Sequence, residues 1–196
     1  MNTTDKEKAV SVRTSWKDHT NAAMEITPMP DPTKDQIEFI NIDSVAAGEL
    51  GKMLTHFAHM PFVHPRFGPF QCLEGFWYWI KSKERPDELR YATGSASRKI
   101  GRTLTKQYCD NFHDYIMEAN FCRINQNPEF KEKFLKSSLP FEMYYFFPDP
   151  EAENRMPVRP AAHRWLCLMF EQIREMMWNG EEPNWIIPPP KEKTDT

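Results

Sequence analysis

No glycine-rich phosphate loop interrupts this sequence: its 196 residues hold seven glycines, and no G-x-G-x-x-G follows a strand-like run, which disfavours a Rossmann dinucleotide site. G-x-S-x-G is also missing, so nothing supports a hydrolase nucleophile elbow. Four cysteines, Cys72, Cys109, Cys122 and Cys167, stand far apart with no C-x-x-C pair, a pattern of reduced core or neutral positions and not of a disulfide frame or zinc site. Uninterrupted apolar runs never approach 18 residues, and Met1 to Lys8 is polar and charged without an apolar h-region. A soluble, cytoplasmic protein with no membrane partner is expected. Excess positive charge is lacking too. With 25 Lys and Arg against 28 Asp and Glu, a net charge of -3 and a pI near 6.1, no global field draws in nucleic acid, and any such contact must be local.

Histidine clusters are equally thin. His56 and His59 are three apart with His64 nearby, but no Asp, Glu or Cys falls at a matching spacing, so neither a metal nor any other cofactor is expected. Aromatic residues make up 13% of the chain and fall within apolar periodic segments, without interleaved Lys or Arg; a core accounts for them better than a single-strand stacking platform.

What is present suffices for one domain, since 40% hydrophobic residues can fill a core at this length. Residues 1–35 read as an N-terminal arm, polar and carrying Pro28, Pro30 and Pro32, with Val10, Val12 and Trp16 as its anchors. Residues 36–178 form the body, and 179–196 a proline-rich tail with Trp185 to Ile187 able to pack back. Gln36 to Asp43 and Phe141 to Phe147 alternate as strands, the second stopped by Pro148-Asp149-Pro150. Ser44 to Met53 predicts a short helix ending near Gly51, and a polar loop around His64, Pro65, Arg66, Gly68 and Pro69 predicts a pocket lining. Helical periods run over 110–125, from Pro128 with Asn127 as N-cap, and over 163–178. The expectation is an α+β fold, a single mostly helical domain around a small β-sheet.

The stretch that organises the chain is Phe70 to Lys81. As a helix it sets Glu74 and Lys81 about 10.5 Å apart along the axis and on nearly one face. Phe76 to Ile80 are apolar right round, so burial would favour the neutral amine of Lys81, a nucleophile. Two plainer readings stand beside this one: Glu74 and Lys81 as the wet ends of a core segment, and a buried aromatic strand. Further on, Ser95 and Ser97 are N-cap candidates ahead of a basic turn with Arg98 and Arg102, which suits a phosphate at a helix N-terminus or simply a solvated basic face.

In order and spacing these segments resemble the NADAR superfamily of YbiA-like proteins, from about Ile40 to Met177. Leu54-Thr55-His56-Phe57 looks like the family's Ser-Asn-Phe segment, with His56 where asparagine is usual. Leu73 to Lys81 keeps the family's glutamate and lysine seven apart, Ala96 to Arg102 matches its A-x-x-x-G-R, Ile116 to Phe134 its paired helices, and Leu168 to Arg174 its closing L-L-M-x-x-R. The chain departs from the family at Tyr144 to Asp149, which lacks Trp-Gly, and around His163 to Cys167.

The resemblance implies an N-glycosidase that cleaves the C–N bond between ribose and a base. The substrate it implies is ADP-ribose on guanine in single-stranded nucleic acid, in reversal of ADP-ribosylation and in protection against a modifying toxin or defence system. A riboflavin-pathway intermediate, or a non-catalytic ADP-ribose-binding module, is the alternative. Lys81 is then the nucleophile that forms an imine, and Glu74 the acid, base or charge stabiliser. Arg98, Arg102 and the turn at Gly101 hold the pyrophosphate, while His56, Phe57, Phe70 and Trp77 shape the ribose or base end.

Overall fold

Among the described residues a short 3-10 helix (Pro32–Lys34) is followed in chain order by β1 (Ile40–Asn41), α1 (Glu49–Leu54), β2 (Phe62–His64), β3 (Gly68–Phe70), α2 (Leu73–Lys81), α3 (Glu88–Tyr91), α4 (Gly94–Gly101), α5 (Phe112–Asn125), α6 (Pro128–Lys136), β4 (Phe141–Glu142), β5 (Tyr145–Phe146), β6 (Pro157–Val158) and α7 (Arg164–Trp178). They come from a computed structural model that describes residues 29–146, 157–158, 164–181 and 183. The expectations for Trp16, for Phe147 and the prolines after it, for His163 and for Trp185 to Ile187 lie outside the described residues. The architecture is α+β and mostly helical, with three two-stranded ladders among the described residues: β1–β4 parallel, β2–β3 and β5–β6 antiparallel. By contacts the chain divides into two units, 1–52 with 138–172, and 53–137 with 173–196.

In the first unit the strands are shorter than their alternation predicts. Asp35 is buried and accepts from Asn41 N (3.0 Å) and Ala47 N (2.7 Å), so a carboxylate takes the place of a ladder partner. Gln36 at φ 72 turns the chain back to the Asp35–Phe39 bridge, which leaves two residues to pair in β1. The run from Phe141 splits for a similar reason. Tyr144 gives its N–H to the side chain of buried Asn41 (3.0 Å), which separates β4 from β5. The helix expected from Ser44 starts at Glu49, because Asp43 holds Val45 N (3.0 Å) in a turn. Gly51 lies inside α1; a Cβ there would stand 2.2 Å from Asn41 O, so the glycine is what lets α1 approach β1. Phe39, Ile40, Phe141, Leu166, Met169 and Phe170 form this unit's core.

The second unit is built on rings. Phe62, Phe67, Phe70, Phe76 and Trp79 contact one another at centroid separations of 5.0 to 6.1 Å, mostly edge-to-face or tilted, the geometry that ring quadrupoles favour. The expected pocket loop is instead the β2–β3 hairpin. It is pinned to α5 by the Gln126 side chain, which bonds both Val63 N (2.8 Å) and Val63 O (2.9 Å). Beneath it, buried Glu118 receives Arg66 Nη2 at 2.5 Å and lies 3.3 Å from Nε2 of buried His64. α6 begins as expected, with Pro128 in its first turn and Phe130 and Phe134 buried. Asn127 spends its amide on Pro61 O and Arg123 O and makes no side-chain cap.

Candidate functional site

α2 is a helix and not a strand because both of its ends are locally satisfied. The Cys72 thiol accepts from Gly75 N (3.4 Å), Glu74 N donates to His56 O (2.9 Å), and Ser82 closes the far end on Trp79 O through its N–H and hydroxyl. Gly75 lets the neighbouring α3 segment come close: a Cβ would stand 2.2 Å from Leu89 O. Two turns separate Glu74 from Lys81, and each feels the other's charge.

Glu74 is 5% exposed. Its Oε1 accepts from Arg98 Nε at 3.1 Å, and its Oε2 lies 3.8 Å from His56 Nδ1. Burial pushes the carboxyl above its ordinary pKa, opposed by the Arg98 hydrogen bond and by the charges of Arg98, Arg102 and Lys81. The Arg98 guanidinium lies 4.1 Å from the centre of the Phe57 ring. Trp77 packs on His56 (5.0 Å) and edge-on against Phe112 (4.6 Å). Half-buried Lys81 places Nζ 5.0 Å from the centre of each of those two rings, Trp77 and Phe112. Its amine is held below the ordinary lysine value first by burial and then by the charge of Lys106, against the pull of Glu74.

His56, Phe57, Glu74, Trp77, Lys81 and Arg98 therefore come together. Phe112 joins them although its place in an apolar period predicts only core; the missing signal is that it opens α5, where one ring can look outward. Arg102 is exposed, and its charge reaches Glu74.

Two expected site residues are not brought to the site. Phe70 is 1% exposed and lies among Phe62, Phe76 and Trp79, because β3 turns that ring into the core. Gly101 is buried under Tyr78, whose ring would stand 2.0 Å from an added Cβ; the glycine serves close packing of α4 on α2, not a ligand-holding turn. The anion site expected at a helix N-terminus is also corrected. α4 starts at Gly94 with Thr93 as N-cap, so Ser95 and Ser97 lie inside it, and Arg98 and Arg102 fall at its C-terminal end. There they offset the negative end of the dipole, away from the free N–H groups. Arg66, from the loop expected to line a pocket, pairs with Glu118. The three candidate metal histidines go to three different places, His56 to Glu74, His59 to Gln71 (2.9 Å) and His64 to Glu118.

Arg98 holds the nearest positive charge to the buried carboxylate, so Arg98→Ala moves the Glu74 titration to still higher pH in a ¹³C-carboxyl NMR titration; an unmoved midpoint would show that Arg98 does not set it. The sign for stability follows. A carboxyl raised in the folded state stabilises the fold below its unfolded pKa and loses that contribution as pH rises from there through the folded value; in the variant the loss starts at the same pH and runs on to higher pH.

One buried helix carrying an acid and an amine, covered by aromatic rings in a mostly helical α+β fold, defines the structural class. The solved structure of the Escherichia coli protein YbiA has this fold: it superposes with a TM-score of 0.54 at 14% identity, over 81% of this chain and 92% of that one. At that identity the likeness shows the fold. No family model matches the sequence, and no curated protein matches it.

Proposed function

We propose that the protein is an N-glycosidase that removes ADP-ribose from guanine in modified nucleic acid, with Lys81 as nucleophile. The observation that supports this most is the Lys81 amine, biased towards its neutral form between Trp77 and Phe112, with the carboxyl of Glu74 in electrostatic reach. As the C–N bond breaks, its electron pair leaves with the base nitrogen, and positive charge grows on the anomeric carbon beside the Glu74 carboxyl. The Lys81 lone pair bonds to that carbon, and a proton goes to the departing base, for which the raised pKa of Glu74 fits it as donor. The ring oxygen then takes a proton, opening the sugar and leaving an imine on Lys81. Water adds to the imine carbon and the lysine departs as an amine, regenerating the enzyme and releasing the sugar. Arg98, with 43% of its side chain exposed, and Arg102 supply positive charge for the pyrophosphate.

A second reading keeps this chemistry on a small ribosylated intermediate of the riboflavin pathway. The net charge of -3 favours it, since enzymes of nucleic acid normally carry phosphate-neutralising charge.

The test is incubation of the full chain with an ADP-ribosylated single-stranded oligonucleotide and, separately, with the riboflavin intermediate, followed by mass spectrometry. Unmodified oligonucleotide plus free ADP-ribose is the expected product. Release from the intermediate alone selects the second reading, and calorimetric binding of ADP-ribose without any release makes the protein a binding module and ends the N-glycosidase proposal.

A further inference from the structure

The charge of this acidic chain is unevenly placed. Between residues 81 and 106 stand eight Lys and Arg against three Asp and Glu, so this stretch is net +5 in a chain whose total is -3. The stretch starts at Lys81 itself. Two of its three carboxylates are turned onto protein groups: Glu84 accepts Thr105 N with both oxygens (3.2 Å each), and Asp87 pairs with Arg90 (3.0 Å). Lys83, Lys99, Arg102 and Lys106 are exposed. A local positive field therefore borders the candidate site, although the whole-chain charge argues against one.

The chain then folds back along the end of α2. Lys83 N donates to Thr105 O (2.9 Å), Ser82 bridges Lys106, and Gln107 N donates to Lys81 O (2.8 Å). Four residues after Tyr108 comes Phe112, the ring over the Lys81 amine, whose N–H is tied to Cys109 O (3.1 Å). Tyr108 thus sits between a residue bonded to the Lys81 backbone and the residue that covers the Lys81 side chain. At 90% exposure it is the most exposed large hydrophobic side chain among the described residues. A lone exposed tyrosine means little. One that follows Gln107, whose N–H is bonded to Lys81 O, and stands two residues from exposed Lys106 has the two parts of a single-strand binding surface: a ring for a base to stack on and cations for the phosphates. A base that reacts at the half-buried Lys81 amine has to leave its stack, and the next base of a single strand is then free to stack on a ring at the surface.

We infer that Tyr108 stacks on the base next to the modified nucleotide of a single strand, while Lys83, Arg102 and Lys106 hold that strand's phosphates. This deepens the N-glycosidase reading and rests on it: the surface makes a polynucleotide, and not a free nucleotide, the preferred substrate.

The test compares kcat/KM for an ADP-ribosylated single-stranded oligonucleotide with that for the ADP-ribosylated mononucleotide. The ratio falls about 5- to 100-fold in Tyr108→Ala, the worth of one base–aromatic stack, with the loss in KM; Tyr108→Phe keeps the ratio. A ratio unchanged in Tyr108→Ala overturns the proposal. A binding arm separates this from failure of the catalytic reading. Fluorescence anisotropy with an unmodified single-stranded oligonucleotide needs no turnover, and there Tyr108→Ala weakens binding by the same factor, while Lys106→Gln reduces the salt slope by about 0.7. Weakened binding without any base release leaves the surface standing and removes the glycosidase; equal binding by both proteins removes the surface, whatever the turnover. Because Tyr108 touches solvent almost all round, its replacement leaves the fold intact.

Discussion

Lys81→Met abolishes base release, with a loss of about 10³-fold or more in kcat, because no other amine is placed between Trp77 and Phe112 to take the anomeric carbon. Lys81→Arg fails equally: the guanidinium stays protonated and has no lone pair to give. Lys81→Met keeps the wild-type melting temperature or exceeds it, since a half-buried ammonium costs desolvation that methionine does not. Borohydride added during turnover reduces the imine and fixes the sugar on a peptide containing Lys81, and the adduct disappears in both variants. The pH dependence has a defined sign. The neutral amine is the reactive form, so activity rises with pH through the Lys81 pKa, and that limb lies below the ordinary 10.5 of lysine. Turnover of Lys81→Arg within tenfold of wild type, or an adduct on another residue, would sink the mechanism.

Arg123→Met produces the largest loss of stability for a single polar side chain. Arg123 is wholly buried, donating to Thr55 O (2.9 Å), Leu54 O (2.9 Å) and Asn120 Oδ1 (2.8 Å) and facing the Phe130 ring. Without it Leu54 O and the Asn120 side-chain oxygen each lose a donor and Thr55 O keeps only the bond from Ala58 N (3.3 Å), at about 1–3 kcal/mol for a buried acceptor left unmet. Part of that is returned, because burial already strains the guanidinium and pushes its pKa down to about 9. A net loss of about 3 kcal/mol follows, read as a lower urea midpoint at unchanged m-value. The same substitution reaches the site. Leu54 and Thr55 lead directly into His56, whose carbonyl accepts Glu74 N, so the segment that brings His56 to Glu74 loses its anchor and activity drops in the protein that remains folded. Arg123→Lys, with the charge but not the fork, falls between. A loss under 1 kcal/mol in Arg123→Met would show that the segment is held by other means.

The parts of the fold legible in the sequence are those whose cause is local. α2, α5, α6 and α7 appear close to their predicted bounds because an apolar stripe at helical period, and for α6 an Asn-Pro start, act within a few residues. Strand lengths were not legible. β1 is cut short by the Asp35 carboxylate and the β4–β5 run by an Asn41 side chain about a hundred residues away, and no window around Phe141 holds that information. The β2–β3 hairpin looks like a loop because its ladder is only three residues long and leans on distant Gln126. At the site, the serine signals near Ser95 were overruled by a turn closed on Thr93, which moved both arginines to the other end of α4.

What the amino-acid order alone determined is that a carboxylate and an amine stand seven residues apart around an apolar run, two turns apart on nearly one face if that run is a helix; the strand alternative was closed by the structure, where Cys72, His56 and Ser82 satisfy the helix ends. Which rings and charges surround them was decided by the tertiary structure. Arg98 reaches Glu74 from α4, Phe112 covers Lys81 from α5, and Phe70, only four residues before Glu74, is turned into the core. The bias of Glu74 towards its acid and of Lys81 towards its free amine comes from that burial, and burial is a property of packing between elements, to which no single segment holds the key.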